Sequence, residues 1–415
     1  MPRTPYDLTR SYSLLERARK VVPRGVYGTR SVEFAVPGKY PQFLREGRGS
    51  RVRDVDGNEY VDLMGAFGPN LLGYRHPAVE AAVREQAGRG NALTFPTELW
   101  VELAETLVAR IDVADWVAFG KNGSDVTDYA IRLARQHTGR RAVLVAEGAY
   151  HTFHPWGVPI PTGVPDAWRA HIERFTWGDA DSLEAAFRRS SGDVAGVLVT
   201  PFRHEAFHDQ ALPTPEWVAA LHALCDRHGA LMLLDDVRAA FRCHASGLSH
   251  HAFGYRPDAI CYGKAISNGQ PVAVIAAREA LRGAASQLYF SATHFFSAEP
   301  MAAALATLRA FDEEKAFDAM NRAGEAVCAG LRERAAAAGF GVRVTGPPTM
   351  PFLRFDSDPE FRLSRSWCGE MAQRGVLVHP HHNWFMNGSL TPEDVALVLD
   401  VAAECFGLLR ADAGA

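Results

Sequence analysis

Pro257-Asp258-Ala259-Ile260-Cys261-Tyr262-Gly263-Lys264-Ala265-Ile266-Ser267-Asn268-Gly269 holds a short apolar strand that stops at a glycine-bounded turn, and one lysine stands where the apolar run ends. A second stretch, Leu231-Met232-Leu233-Leu234-Asp235-Asp236-Val237, reads as a buried strand closing on two carboxylates. The interval from Asp235 to Lys264 is long enough for one crossover between neighbouring parallel strands. From Trp116 to about Ala277 the pattern alternates in the same way. Strands are expected at 116–119, 142–146, 194–200, 231–235, 259–262 and 272–276, and helices near 124–136, 214–228 and 300–311. Near-continuous apolar strands suit a sheet covered on both faces, so the expected class is α/β with a mostly parallel central sheet.

On the N-terminal side, Leu14, Leu15, Ala18 and Val21 recur at helical spacing over 11–22, and Pro23-Arg24-Gly25 breaks the pattern. Alternating segments at 42–46, 51–55 and 59–63, with Asp56-Gly57 as a turn, read as a small antiparallel sheet. Helices are expected at 76–87 and at 97–111, the second capped by Thr97. Beyond Glu313, a helix-rich stretch, two short strands and helices at 359–374 and 392–409 suggest a smaller α+β domain. The expected organisation is an N-terminal segment, 1–65, packing with a small C-terminal domain, 313–415, and a large domain, 66–312.

The chain has 415 residues, 47% of them hydrophobic, which is ample for a sizeable core. Its formal net charge is −4 with both signs mixed, which offers neither nucleic acid nor an anionic membrane a partner surface. Small molecules are the expected partners. Six cysteines lie scattered without metal or redox spacing, several inside apolar periodic segments, which points to a reducing, cytoplasmic setting. The N-terminus opens no signal-type apolar stretch, and no run approaches the roughly 20 apolar residues of a membrane span.

Four strand ends carry chemistry. Gly120-Lys121-Asn122-Gly123-Ser124-Asp125 follows a strand and opens a helix, so free N–H groups and the helix dipole favour an anion there; Ser124 or Asn122 capping the helix is the plain alternative. Tyr150-His151 follows another strand, where an aromatic ring can stack on a flat ligand or simply pack. Asp235 and Asp236 point to opposite faces of their strand and cannot converge on one metal ion. His379, His381 and His382 lack zinc spacing, so no metal is expected. Lys264 alone reads as an ordinary turn lysine. Taken together, an amine for a Schiff base, an acid for a pyridinium nitrogen, an aromatic and an anion loop are what pyridoxal 5′-phosphate chemistry asks of a protein.

These motifs, in this order, resemble the class III aminotransferases, and most closely their glutamate-1-semialdehyde 2,1-aminomutase branch. The resemblance covers nearly the whole chain. It runs through Val21-Val22-Pro23-Arg24-Gly25-Val26, Asp54-Val55-Asp56-Gly57-Asn58-Glu59-Tyr60-Val61-Asp62, Asn122-Gly123-Ser124-Asp125, Ile131-Arg132-Leu133-Ala134-Arg135, Tyr150-His151, Asp235-Asp236-Val237 and Gly263-Lys264. It implies the aspartate-aminotransferase fold (fold type I) and a homodimer with sites at the subunit interface. It also implies residue roles. Lys264 would bond the cofactor and shuttle a proton, Asp235 would pair with the pyridinium nitrogen, Gly123 and Ser124 would bind the phosphate, Tyr150 would stack on the ring, and His151 would be a further cofactor-binding residue. Arg30 and His382 are the candidates for substrate contact.

The chain also departs from the family. Thr200-Pro201 stands where members usually carry Glu-Pro. The threonine that reaches a neighbouring subunit's phosphate has its place held by Phe295, leaving Thr293 as the candidate with Ser297 behind it. His381-His382-Asn383-Trp384 precedes Phe385-Met386 where the aminomutase branch has a glutamate, which argues against the mutase. The expected function is an aminotransferase moving an amino group from a small donor to the ketone or aldehyde of a polar metabolite. The competing readings are a 2,1-aminomutase, an epimerase on the same scaffold, and a binding protein that keeps the fold without turnover.

Overall fold

Runs such as Leu231-Met232-Leu233-Leu234 present apolar side chains to both sides of a strand, so they are stable only between two covering layers. In the computed structural model, which describes residues 3–28, 31 and 36–413, the chain falls into two compact units. One comprises Pro77–Glu205 and Ala211–Glu314; the other comprises Met1–His76, Ala206–Gln210 and Lys315–Ala415. The boundaries thus lie at His76 and Glu314, and the short strap Ala206–Gln210 belongs with the N- and C-terminal segments. Gln210 donates to the carbonyl of Met350 at 2.8 Å, and Phe207 donates to that of His381 at 2.8 Å.

In chain order the strands are β1 (Leu44–Arg48), β2 (Arg51–Asp54), β3 (Glu59–Asp62), β4 (Trp116–Gly120), β5 (Ala142–Ala146), β6 (Ile172–Phe175), β7 (Val194–Val199), β8 (Leu231–Asp235), β9 (Ala259–Tyr262), β10 (Ala273–Ala277), β11 (Val342–Thr345), β12 (Phe352–Phe355) and β13 (Val376–Leu377). The first unit is built on a seven-stranded sheet in the order β4-β10-β9-β8-β7-β5-β6. All neighbours pair in parallel except β10, which runs antiparallel to both β4 and β9. Two reversals restore the direction, so β4 points the same way as β5 to β9 and their carboxyl ends share one edge.

The helix Gly123–Thr138 covers one face because Val126, Ala130, Leu133 and Ala134 recur on a single stripe. They pack on Val143, Val145, Leu198, Leu231, Leu233, Cys261 and Ile275, alternate residues of the strands beneath. Burying each large aliphatic side chain contributes about 1.5–3 kcal/mol. The helix stops at Gly139, whose φ of +70° accommodates a left-handed terminus.

In the second unit, β1-β2-β3-β13 form a four-stranded sheet and β11-β12 a hairpin. Asp54 fixes the turn between β2 and β3: its carboxylate accepts the N–H groups of Asp56 and Asn58 and the hydroxyl of Tyr60, while Gly57 takes φ +96°. Trp367 on the helix Arg362–Ala372 stacks on Phe406 of the helix Pro392–Ala413, with ring centroids 5.1 Å apart.

Three local expectations need correction. Thr97 does not cap its helix, which starts at Leu99 after Glu98 without a side-chain cap; the Thr97 hydroxyl is buried and unpaired. Strand β6 and the helix Ala180–Arg189 were not expected from the sequence. Thr200 lies beyond the end of β7, where its hydroxyl donates to the carbonyl of Phe202 at 2.9 Å.

Candidate active site

Because the six strands β4 to β9 end on one edge, the residues just past β4, β5, β7, β8 and β9 are brought together there. Asp235, the last residue of β8, is buried. Its Oδ2 accepts a hydrogen bond from His151 Nδ1 at 2.7 Å, and its Oδ1 accepts the N–H of Val237 at 3.1 Å. The neighbouring Asp236 faces the other way, into the protein, and takes the hydroxyl of Ser249 at 2.7 Å. Burial raises the Asp236 carboxyl well above the usual range, and the two carboxylates, facing opposite sides of the strand end, do not converge on one point.

At the end of β4 the chain turns directly into the helix Gly123–Thr138. Asp125 reaches back to accept the N–H groups of Lys121 and Asn122 at 2.9 and 2.8 Å, which fixes the loop from within. Asn122 holds the cap position, and Gly123 and Ser124 begin the first turn, where N–H groups have no partner inside the helix. Ser124 is not a cap. Its Oγ accepts the N–H of Phe153 at 3.1 Å and so ties the Tyr150–Phe153 loop to the helix start. A Cβ on Gly123 would lie 2.6 Å from Val237 Cγ1, so only glycine lets the loop approach the residue after Asp235-Asp236.

Lys264 follows β9. Its φ of +45° is left-handed, a conformation that costs a non-glycine residue about 1–3 kcal/mol and is retained chiefly at functional positions. Burial brings its ammonium down to about 7; the positive charge of Arg238 pushes the same way, and Asp235 opposes it. A fraction of the amine is therefore neutral near pH 7, as a nucleophile must be. Tyr150 is 45% exposed and lies within electrostatic reach of Asp235 and Arg238.

The remaining expected site residues stand differently. Thr293 is exposed in the segment before the helix Ala298–Glu313, and Ser297 is buried at the N-cap position of that helix. Arg30 lies outside the described residues. His382 belongs to the second unit, where its Nδ1 donates to the carbonyl of Asn383 at 2.7 Å and its ring meets Phe67 edge-on. Burial depresses its neighbours His379 and His381 to about 3 and about 4, so both are neutral. Among the described residues, the group with metal-ligand atoms within 4.8 Å of one another is Asp112, His250 and His251, none of them in the cluster.

Four charged residues of this region carried no sequence signal. Lys121 Nζ is buried without a partner beside the β4 loop, and desolvation lowers it to about 8. Arg238 is buried and donates from Nη1 to the carbonyl of His204 at 2.6 Å. Arg242 is more deeply buried still, and Glu205 is buried within electrostatic reach of Arg238 and His151.

A family profile, Aminotransferase class-III, matches residues 35–158 and 160–392. The chain belongs to the class III aminotransferases. Within the family it is 42% identical over 404 residues to an aminopentol aminotransferase of Sphingopyxis macrogoltabida, covering 97% of this chain and 95% of that one. It is 30% identical over 424 residues to a glutamate-1-semialdehyde 2,1-aminomutase of Syntrophobacter fumaroxidans, covering 96% and 97%. The aminomutase branch is therefore the more distant relation, and the expected nearest branch is corrected accordingly. The fold superposes on the structure of the PLP internal aldimine form of the FumI protein of Sphingopyxis sp. MTA144 with a TM-score of 0.96 at 41% identity over 98% of both chains. Class III aminotransferases use pyridoxal 5′-phosphate to carry an amino group from a donor to a carbonyl acceptor. The site fits that group: it offers a glycine-lined helix start with an orphaned buried ammonium nearby, a His-supported carboxylate, and a lysine of depressed basicity.

Proposed function

We propose that this aminotransferase takes an amino group from a small donor and delivers it to the ketone or aldehyde of a polar metabolite, using the strand-end cluster of the first unit. The observation that carries the assignment of residues is the buried His151–Asp235 pair at the end of β8 beside a left-handed lysine at the end of β9. Gly123 and Ser124 would hold the cofactor phosphate, Asp235 would keep the pyridine nitrogen protonated, His151 orients Asp235, and Tyr150 would pack on the cofactor. When bound, the cofactor supplies an electron sink for the carbanion at the amine-bearing carbon. Lys264 is the nucleophile toward the cofactor aldehyde and the base that moves the proton from the donor carbon.

Adding an amino donor alone to the yellow holoenzyme is expected to shift its absorbance stoichiometrically, with pyruvate or another carbonyl acceptor restoring it. Lys264→Ala is expected to lose turnover by at least about a thousandfold, and a variant that still turns over overturns the assignment. The intramolecular 2,1-aminomutase gains no support, since no carboxylate replaces the one missing ahead of Phe385-Met386. The chain is further proposed to act as a homodimer with interface sites, in the cytoplasm. The exposure of Thr293 supports the first proposal. Six unbridged cysteines support the second, and among the described residues no helix is long and apolar enough to cross a membrane.

A further inference from the structure

Asp112 follows the helix Leu99–Arg110, and His250 and His251 stand side by side in the short helix Ser249–Phe253. All three belong to the first unit. Asp112 Oδ1 lies 2.8 Å from His250 Nε2, and its Oδ2 lies 3.1 Å from His251 Nε2. The ligand atoms of the three residues fall within 4.8 Å of one another. The elements that bring them there are pinned. Ser249 gives its hydroxyl and its N–H to the buried Asp236, at 2.7 and 3.3 Å, which fixes the start of the short helix from inside. Arg110, whose charge is met by Asp312, donates from Nε and Nη2 to the carbonyl of Ser246 at 3.1 and 2.7 Å. It thereby ties the loop ahead of the histidines to the segment that bears Asp112.

The placement of protons shows what this cluster calls for. His244 Nδ1 accepts the N–H of Ser246 at 3.2 Å, so it carries no proton, and the hydrogen in its 2.8 Å contact with Ser246 Oγ is the serine's. Toward His251 Nδ1, 3.1 Å away, Ser246 Oγ can then only accept, which puts that ring's proton on Nδ1. The neutral ring therefore turns the bare lone pair of Nε2 toward a carboxylate oxygen. Two acceptors face each other, and a positive charge must stand between them. A second proton on His251 would serve that pair alone, whereas a second imidazole nitrogen converges on the same carboxylate. His250 Nδ1 is buried with no partner, so moving the His250 proton there from Nε2 breaks no bond on that side.

Zinc bonds of about 2.0–2.1 Å put tetrahedral ligand atoms roughly 3.4 Å apart, close to the two separations above. Two imidazoles and one carboxylate with a fourth position open to solvent form a zinc-type set, whereas magnesium and calcium take oxygen ligands. Ser246 supplies the outer support that orients a metal-binding histidine. We propose that Asp112, His250 and His251 bind a divalent transition metal of the zinc class, with Ser246 positioning His251. The site stands outside the strand-end cluster, so it does not rest on the aminotransferase reading.

The test uses untagged holoenzyme, stripped with a chelator and dialysed, and titrates it with Zn2+ in competition with a chromophoric chelator. The wild type is expected to take up a single tight equivalent per chain that excess Mg2+ does not displace, and to melt at higher temperature with Zn2+ than without. Asp112→Asn and His251→Ala should each weaken binding by about a hundredfold or more and abolish the zinc-dependent rise in melting temperature. Ser246→Ala, which keeps all three ligands, should weaken it by about tenfold to a hundredfold. The Asp112 and His251 side chains are 60% and 33% exposed, so their variants should melt with the wild type when no metal is present. Zinc affinity equal in the wild type and in both ligand variants, or displacement by Mg2+, overturns the site. A Ser246→Ala variant that binds as tightly as the wild type overturns the positioning role of the serine.

Discussion

Lys264 is held where its charged form is disfavoured, and this has a consequence for the cofactor-free protein. Its ammonium titrates near 7 when folded and near 10.4 when the chain is unfolded. Between these values the unfolded state binds more protons, so this residue makes stability rise with pH from about 7 upward; the penalty is fully present below 7. Denaturant unfolding of the cofactor-free wild type and of Lys264→Ala at several pH values should show a shallower rise in the variant across that window. Lys264 and Asp235 were legible in the sequence because each ends an apolar run, and a run that stops at a charge marks a strand end. Glu205, Arg238 and Lys121 were not. Their meaning lies in which neighbours desolvate them, and residues as distant in sequence as Gly148 and Arg238 decide that for Glu205. The histidines of the 379–382 loop erred the other way, since polar residues in a proline-bearing loop look available and are instead packed among aromatic rings.

At the scale of elements, the start of the helix Gly123–Thr138 serves two purposes, anchoring the helix and leaving first-turn N–H groups open. Gly123→Ala is expected to destabilise the protein by about 1–3 kcal/mol through overpacking against Val237 and to weaken cofactor binding, measured by thermal unfolding and by cofactor titration of the apoprotein. Ser124→Ala should cost about 1–3 kcal/mol as well, since it strips the acceptor from the Phe153 N–H, and should loosen the loop bearing Tyr150 and His151 to proteolysis. Strong strands and amphipathic helices were readable from periodicity alone. The edge strand β6, Ile172-Glu173-Arg174-Phe175, was not, because a strand with one neighbour needs only a partial apolar pattern. Thr97 shows the limit of cap signals: a residue of the right type two positions early looks the same in a sequence window.

At the scale of the whole molecule, the proposed dimer with shared sites makes a complementation prediction. If Thr293 serves the neighbouring subunit's phosphate, mixing Lys264→Ala and Thr293→Ala subunits gives hybrids with one complete site and one doubly defective site. Activity should then rise on mixing, toward a quarter of the wild-type value at random reassociation, and no rise on mixing counts against the cross-subunit role. The α/β class and the sheet-building core were legible because they follow from local pattern. The strap Ala206–Gln210 was not, since five residues crossing from one unit into the other leave no periodic trace. The inserted antiparallel strand has one more effect, and it concerns time. β4 lies at the sheet edge and pairs only with β10, its residues 116–120 matching 273–277 in register. During synthesis the strand that leads into the helix start at Gly123 therefore waits for its partner until more than half the chain has left the ribosome. Contacts of such long sequence separation form slowly. Chains that end before residue 273 lack any partner for β4, so the edge of the large sheet that carries it closes late.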